Sequence, residues 1–348
     1  MNSSLPKLSY VLLSHNREKY IRAAIESAFA QDYEGELEYI FSDDCSTDRT
    51  FEIIKECVAE YKGNRRVVVT QTPRNLHLAG NTNHAVQFVE SDWIVRADDD
   101  DYSSVDRCSL IGNAIKQYAD ARYVTTGVLH FTDADDNRIR EKANTKFCDI
   151  PNITVTDICC HSVEETDFHY KKLSYKAWHM DVFRKFGALP EKAYYIDDLT
   201  CFYRASVLGT GVHLHNVTAV YARDGSANMS LGGDDNQRGY ASIIRLEKFN
   251  DLFYNITYEP LLDVCDAIEP VVKKMNNNQA LLFVQNIRKK ISEQEKMRYF
   301  WRKGVFYRLC VTAKYGKITP FSLLRCLPMK VFATVLALVR IIKKSKQK

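Results

Sequence analysis

The stretch LSYVLLSHNREKYIRAAIESAFAQDYEGELEYIFSDDCSTDRT, Leu8–Thr50, decides the fold. Leu8–Ser14 is a short β-rich run of the kind a buried strand requires. Asn16 is placed to cap a helix, and Ile21, Ala24, Ile25, Ala28 and Phe29 follow at helical spacing. Leu37–Ser42 (LEYIFS) is a second strand. Ser46 or Thr47 is placed to cap the next helix, whose apolar face is Ile54, Cys57, Val58 and Tyr61. The pattern continues through a strand at Arg66–Thr70, a helix near Ala79–Glu90 and a strand at Trp93–Ala97. Leu110, Ile111, Ala114, Ile115 and Tyr118 then mark a helix before the strand RYVTTG. This alternation predicts an α/β fold with a parallel sheet covered by helices on both faces. Ligands of such sheets bind beyond the carboxyl ends of the strands. Three polar clusters stand at those ends: SHN (14–16), SDDCS (42–46) and ADDDD (97–101). Three in register predict one site.

The composition bounds the rest. The chain has 348 residues, 45% hydrophobic and 26% charged, which is ordinary for a globular protein. Its net charge is only +4, unevenly spread: from Arg288 onward there are 17 Lys/Arg and two acids, leaving 31 basic and 42 acidic residues before it. An acidic body with a basic tail points to an anionic partner for the tail. The ten cysteines form no CxxC pair, and Cys159–Cys160 are adjacent, so reduced thiols in a cytosolic protein are expected. MNSSLPKLSY lacks the charged and apolar regions of a signal peptide. No stretch reaches the roughly 18 apolar residues of a membrane span. Past about residue 130 the pattern is irregular. TDADDNRIRE reads as a surface turn and about 238–300 as helical.

Asp98–Asp101 raise an electrostatic question. Four carboxylates this close repel, and a divalent cation lets them stay ionised. Mg²⁺ or Mn²⁺ accepts one or two carboxylates and completes its shell with waters and phosphate oxygens. Asp98–Asp101 then read as a diphosphate dock.

With these motifs in place, the chain resembles the inverting glycosyltransferases of family 2, which have the GT-A fold. Leu8–Thr50 resembles that family's opening, with its Asp-Asp-x-Ser-x-Asp segment. WIVRADDDDYSSVDR resembles its D-x-D segment, and YIDDLTCFYRAS the later segment that carries the base. The resemblance implies a GT-A domain over 1–235, with a nucleotide-sugar half at 1–125 and an acceptor half at 126–235. A helical, basic region follows at 236–348. It implies that Ser14, His15 and Asn16 pack against base and ribose, His15 standing where Tyr is usual. Asp44 implies a bond to the base, Asp98 and Asp100 the metal ligands, Asp99 a ribose contact and Asp101 a donor-sugar contact. Asn83 and Arg74 fall in a segment used near the donor. Asp198, preceded by Asp197, matches the general base. Arg204 matches an arginine that is structural or near phosphate, and Asp224 stands where a His is often found. His161, His169 and His179 lie in the expected acceptor segment. His213 and His215 share one strand face, where packing is the simpler reading.

The implied activity is metal-dependent, inverting transfer of a sugar from a nucleotide diphosphate to a glycan hydroxyl, with Mn²⁺ or Mg²⁺ as cofactor. The tail around Met297, Phe300, Trp301, Val305 and Leu309, threaded with Lys and Arg, has the make-up of an interfacial membrane helix. That expectation places the protein in the cytoplasm, on the inner face of the cell membrane. Its acceptor would be a polyprenyl-diphosphate-linked glycan of O-antigen or capsule synthesis. No nucleic-acid module is recognisable, so RNA binding is the weaker reading of the tail and no nucleic-acid partner is expected. A sugar-nucleotide pyrophosphorylase should open with a Gly-rich basic loop, and YVLLSHNREKY has no Gly. A dehydrogenase needs GxGxxG after the first strand, and it is missing. A non-catalytic nucleotide-sugar-binding membrane scaffold is the remaining alternative, against which the intact acids argue.

Overall fold

A computed structural model describes residues 4–147, 151–157, 176–190, 197–224 and 259–302. The chain divides into two units, one of residues 1–225 with 263–287, the other of residues 226–262 with 288–348. The first contains the sheet and the helices that cover it. Part of the region expected to form a C-terminal appendage, 263–287, therefore belongs with this unit.

β1 (Leu8–Ser14), β2 (Leu37–Asp43) and β4 (Trp93–Asp98) are buried along almost their whole length, as their apolar runs require. With β3 (Val67–Gln71) they form a parallel half-sheet in the order β3-β2-β1-β4. The helices α1 (Ile21–Phe29), α2 (Thr50–Glu60), α3 (His77–Ala85) and α4 (Arg107–Gln117) connect these strands and lead out of the last. Beyond β4 the expected parallel pattern changes. β8 (Lys176–His179) pairs antiparallel with both β4 and β6 (Ala121–Phe131). β9 (Thr210–Arg223) lies parallel to β6, and β5 (Tyr102–Ser103) and β7 (Asn152–Thr156) pair antiparallel with β9. The described sheet is thus α/β and doubly covered in its first half and mixed in its second.

Several local expectations are corrected. Asn16 does not cap α1, which starts at Ile21 with no side-chain cap; it sits instead in the left-handed region, φ 53°. Neither Ser46 nor Thr47 caps α2. The cap residue is Arg49, which makes no side-chain cap bond; Asp48, one residue before it, accepts the Thr50 N–H (3.0 Å) and hydroxyl (2.5 Å). The segment TDADDNRIRE is not a turn but leads into α5 (Asp136–Ala143), which buries Ile139 and Ala143. α6 (Asp181–Arg184) and α7 (Asp197–Leu208) follow β8. α8 (Glu259–Lys274) and α9 (Asn278–Arg302) divide the expected long helical stretch at 275–277. No described helix is long and apolar enough to cross a membrane. Among the described cysteines, Cys45, Cys57 and Cys108 are free thiols. Burial pushes the Cys108 thiol up to about 12 and that of Cys57 to about 11.

Candidate active site

Register builds the site. Ser14 pairs with Asp43 and Leu13 with Asp98, so the ends of β1, β2 and β4 lie side by side. The three polar clusters therefore share one edge of the sheet, as their sequence positions predicted.

The β1 and β2 ends are laced together by short polar side chains. Asp43 is fully buried. It accepts the Ser46 hydroxyl (2.5 Å) and N–H (2.9 Å), the Gln71 amide (2.8 Å) and the Ser14 hydroxyl (3.3 Å). Asn16 Oδ1 accepts the Thr47 N–H at 2.8 Å, and Arg17 N–H donates to Thr50 Oγ1 at 2.7 Å. Asp44 Oδ1 accepts the Leu76 N–H and the Thr72 hydroxyl, each at 2.8 Å, folding the 72–76 loop over the strand ends. Asp44 Oδ2 accepts no bond from the described residues.

His15 is contacted at both ring nitrogens. Its Nδ1 lies 2.8 Å from the Asp44 carbonyl and must donate to it. Its Nε2 faces the amide nitrogens of Asn75 (3.0 Å) and Asn16 (3.2 Å). Both amides are oriented by their own oxygens, which accept the His77 N–H (2.9 Å) and the Thr47 N–H. They therefore donate, and Nε2 accepts. The contacts around the ring match the tautomer that carries its proton on Nδ1.

The aspartate tetrad is met by arginines. Arg96, two residues before Asp98 and so on the same strand face, donates to Asp98 Oδ1 at 2.7 Å. Asp99 is 8% exposed and gives both oxygens to the neighbouring turn: Oδ2 accepts the His15 N–H at 2.8 Å, and Oδ1 lies 3.6 Å from Arg17 Nε. Asp100 Oδ2 lies 3.4 Å from the same Nε. Asp101 Oδ1 accepts the Arg223 N–H at 2.8 Å, and Arg223 Nε donates to the Asp100 carbonyl at 3.2 Å. Burial, and then the charge of Asp100, push the Asp99 carboxyl well above the usual carboxylate range; burial and the charge of Asp98 raise that of Asp100. In both, Arg17 acts in the opposite sense.

A divalent ion fits this arrangement. Asp98 Oδ2 and Asp100 Oδ1 accept no bond from described residues, and these side chains are 32% and 24% exposed. Two carboxylates facing solvent are what Mg²⁺ or Mn²⁺ takes when phosphate and water complete its shell. No cluster of three or more His, Cys, Asp or Glu side chains suited to a metal occurs among the described residues.

Other expected site residues have other partners. Asn83 spends its whole amide on the Leu189 backbone: Nδ2 donates to the carbonyl at 2.9 Å and Oδ1 accepts the N–H at 2.7 Å. It is a clamp between α3 and the residue 189 turn, not a free donor-site contact. Asp99, expected at the ribose, is likewise committed within the chain. Arg204 is fully buried. It donates to the carbonyls of Val182 (3.1 Å), Gly187 (2.7 Å) and Ala188 (2.9 Å), a structural role. Arg74 is exposed. His179 pairs with Trp93, at the opposite end of β4 from Asp98, which removes it from the strand-tip site. His213 is buried against Thr125 at 2.9 Å, and Asp224 pairs on the surface with His130 at 2.9 Å. His161 and His169 lie outside the described residues. Asp198 sits in the first turn of α7, partly buried. That helix ends where β9 begins, at the end of the sheet remote from the tetrad, and packs along β6, β8 and β9.

Arg17, Arg96, Asn75 and Arg223 were not singled out in the sequence. Arg96 carried a signal, its i−2 spacing from Asp98 on a strand. The other three are brought in by loop contacts that no local pattern encodes.

The profile of the family "Glycosyl transferase family 2" matches residues 9–186, just over half the chain. The chain belongs to glycosyl transferase family 2. EpsE of Bacillus subtilis, assigned as a glycosyltransferase, is 34% identical to this family 2 chain over 133 residues, 38% of the chain and 46% of EpsE. An uncharacterized glycosyltransferase of Haemophilus influenzae is 29% identical over 146 residues, 42% of the chain and 56% of that protein. The chain thus spans about half the length of these relatives. Among solved structures, residues 1–349 of Staphylococcus aureus TarS superpose with a TM-score of 0.55 at 16% identity, covering 93% of this chain and 82% of that one. The same TarS region in complex with UDP-GlcNAc gives 0.52 at 16% identity, covering 85% and 91%. At this identity the likeness establishes the fold, GT-A.

Proposed function

We propose that this family 2 protein transfers a sugar from a nucleotide-diphosphate donor to a glycan hydroxyl, with inversion at the anomeric carbon. The observation that carries the reading is the alignment of the β1, β2 and β4 ends, which gathers His15, Asp44, Asp98 and Asp100 at one edge. A UDP-sugar is the donor class tested first, because solved TarS structures hold UDP and UDP-GlcNAc. Residues 1–125 would form the donor half and 126–235 the acceptor half.

In this reading the His15 ring and Asp44 Oδ2 receive the base, with Ser14 and Asn16 supporting the turn. Asp98 and Asp100 would hold Mg²⁺ or Mn²⁺, which supplies Lewis-acid stabilisation of the diphosphate. Asp198 takes the proton from the acceptor hydroxyl as its oxygen bonds to the anomeric carbon. The bond from that carbon to the diphosphate oxygen breaks on the opposite face, and the electron pair leaves with the diphosphate. The basic tail supports a membrane-surface location and a polyprenyl-diphosphate-linked acceptor of surface-polysaccharide synthesis.

The test is Asp198→Asn assayed beside the parent chain. Loss of transfer by at least about 100-fold, with unchanged UDP affinity, is expected. Undiminished turnover would remove Asp198 as the base. Absence of any UDP-induced rise in melting temperature, with Mn²⁺ or with EDTA, would overturn the donor assignment.

A further inference from the structure

Arg17 stands close to the carboxylate that the reading above gives to the metal. Its Nε is 3.4 Å from Asp100 Oδ2 and 3.6 Å from Asp99 Oδ1, and its side chain is only 18% exposed. The turn that carries it is fixed. Asn16 N–H donates to Ser46 Oγ (2.9 Å), Arg17 N–H to Thr50 Oγ1 (2.7 Å) and Glu18 N–H to Asp48 Oδ2 (3.1 Å). Asp98 is already served by Arg96 at 2.7 Å, so Arg17 is the cation assigned to the next two acids.

We propose that Arg17 is a resident counter-ion of the donor site, which ties the binding of a divalent cation to the binding of the donor diphosphate. The inference rests on the reading that Asp98 and Asp100 hold the metal. A dication held by Asp100 would share that carboxylate with a largely buried guanidinium, and the two would repel. Without a diphosphate, the metal enters against that charge. With it, the diphosphate supplies negative charge that the metal and Arg17 share, and the repulsion is offset. Metal and nucleotide then favour each other's binding, reciprocally, because the coupling belongs to both. Removing the charge at position 17 leaves Asp99 and Asp100 to attract the metal unopposed. A lysine there keeps the charge.

The experiment is Mn²⁺ titration of the full chain, read as the paramagnetic resonance signal of free Mn²⁺. It is run with and without UDP and corrected for Mn²⁺ bound by UDP in solution. The parent chain is expected to bind Mn²⁺ about tenfold or more tightly with UDP than without. Arg17→Gln should bind Mn²⁺ alone about tenfold more tightly than the parent and reduce the UDP effect to a few-fold. Arg17→Lys should resemble the parent. Unchanged or weaker Mn²⁺ affinity in Arg17→Gln, with the UDP effect intact, overturns the role of Arg17 and leaves the metal site standing. A parent chain that binds Mn²⁺ equally with and without UDP overturns it with no variant needed. If the parent binds no Mn²⁺ even with UDP, or Asp100→Asn binds it as well as the parent, the metal assignment itself fails.

Discussion

Asn83 and Asp44 are both polar residues in segments where the family resemblance expects donor contacts, and the fold uses them oppositely. Asp44 fixes a loop with one oxygen and leaves the other open. Asn83 has nothing left over once Leu189 is bound. Asn83→Ala should therefore lower stability by about 1–3 kcal/mol through two lost hydrogen bonds to backbone, while UDP affinity stays within twofold, which calorimetry would show. Weakened UDP binding at unchanged melting temperature would return Asn83 to the donor site. Arg204 makes a parallel case. Arg204→Met leaves three carbonyls without their donor and should cost about 3 kcal/mol or more in chemical denaturation. The difference between the two kinds of residue marks the limit of the sequence. Asp44 and Asp98 were legible because strand ends are read from local periodicity. Asn83 and Arg17 were not, because Leu189 and Asp100 are brought to them by the tertiary fold. Of the three contacts that set the tautomer of His15, Asn16 lies within SHN, but the Asp44 carbonyl and Asn75 are brought in by the tertiary fold and have no signature there.

At the scale of elements, the strands and helices of the first half were legible because each is a buried run or an amphipathic repeat. The second half was not, for two physical reasons. β8 is four residues long and pairs antiparallel, so no crossover helix announces it. α5 buries only Ile139 and Ala143 and is otherwise polar or charged, which reads as a turn. α5 is nevertheless held firmly. Asp136 near its start accepts from Tyr102 (2.6 Å) and Arg223, and Asp133 accepts from Lys19 and Arg223, both at 2.6 Å. Lys19, then Arg223, hold the Asp133 carboxyl below its ordinary value of 3.8; burial opposes ionisation of Asp136, but Tyr102 and Arg223 outweigh it and lower that carboxyl too. A folded value below the unfolded one gives stability that is present above about pH 4 and is lost as pH falls below it. Asp136→Asn should lower stability at neutral pH and flatten the loss of stability between pH 4 and pH 2, measured by urea denaturation at stepped pH. An unchanged acid slope would contradict this account. β6 and β9 depend on Gly127, at a register shift, where an added Cβ would lie 2.1 Å from the Val217 carbonyl oxygen. Gly127→Ala should cost at least about 1–3 kcal/mol, because backbone rather than a mobile side chain must yield.

On the scale of the whole molecule, charge and packing divide the chain at different places. Packing assigns 263–287 to the first unit, where Val264, Ile268, Val272, Phe283 and Val284 are buried and Phe283 meets the Tyr203 ring edge-on at 5.7 Å. Charge divides near Arg288, with the excess of Lys and Arg beyond it. Two truncations separate these boundaries. Ending the chain at residue 225 removes helix faces that cover the first unit, exposes apolar surface and should give an insoluble or molten product. Ending it at Arg302 keeps those helices and should leave melting temperature and UDP affinity unchanged. The Arg302 truncation also tests the tail. Each Lys or Arg near an anionic leaflet contributes about 1 kcal/mol, screened within a Debye length of about 10 Å at 0.1 M salt. The full chain is therefore expected to sediment with phosphatidylglycerol vesicles at 50 mM NaCl and to be largely released at 500 mM. The Arg302 truncation should stay in the supernatant at both. Equal vesicle binding by the two chains would show that the excess of positive charge beyond Arg302 is not what meets the membrane.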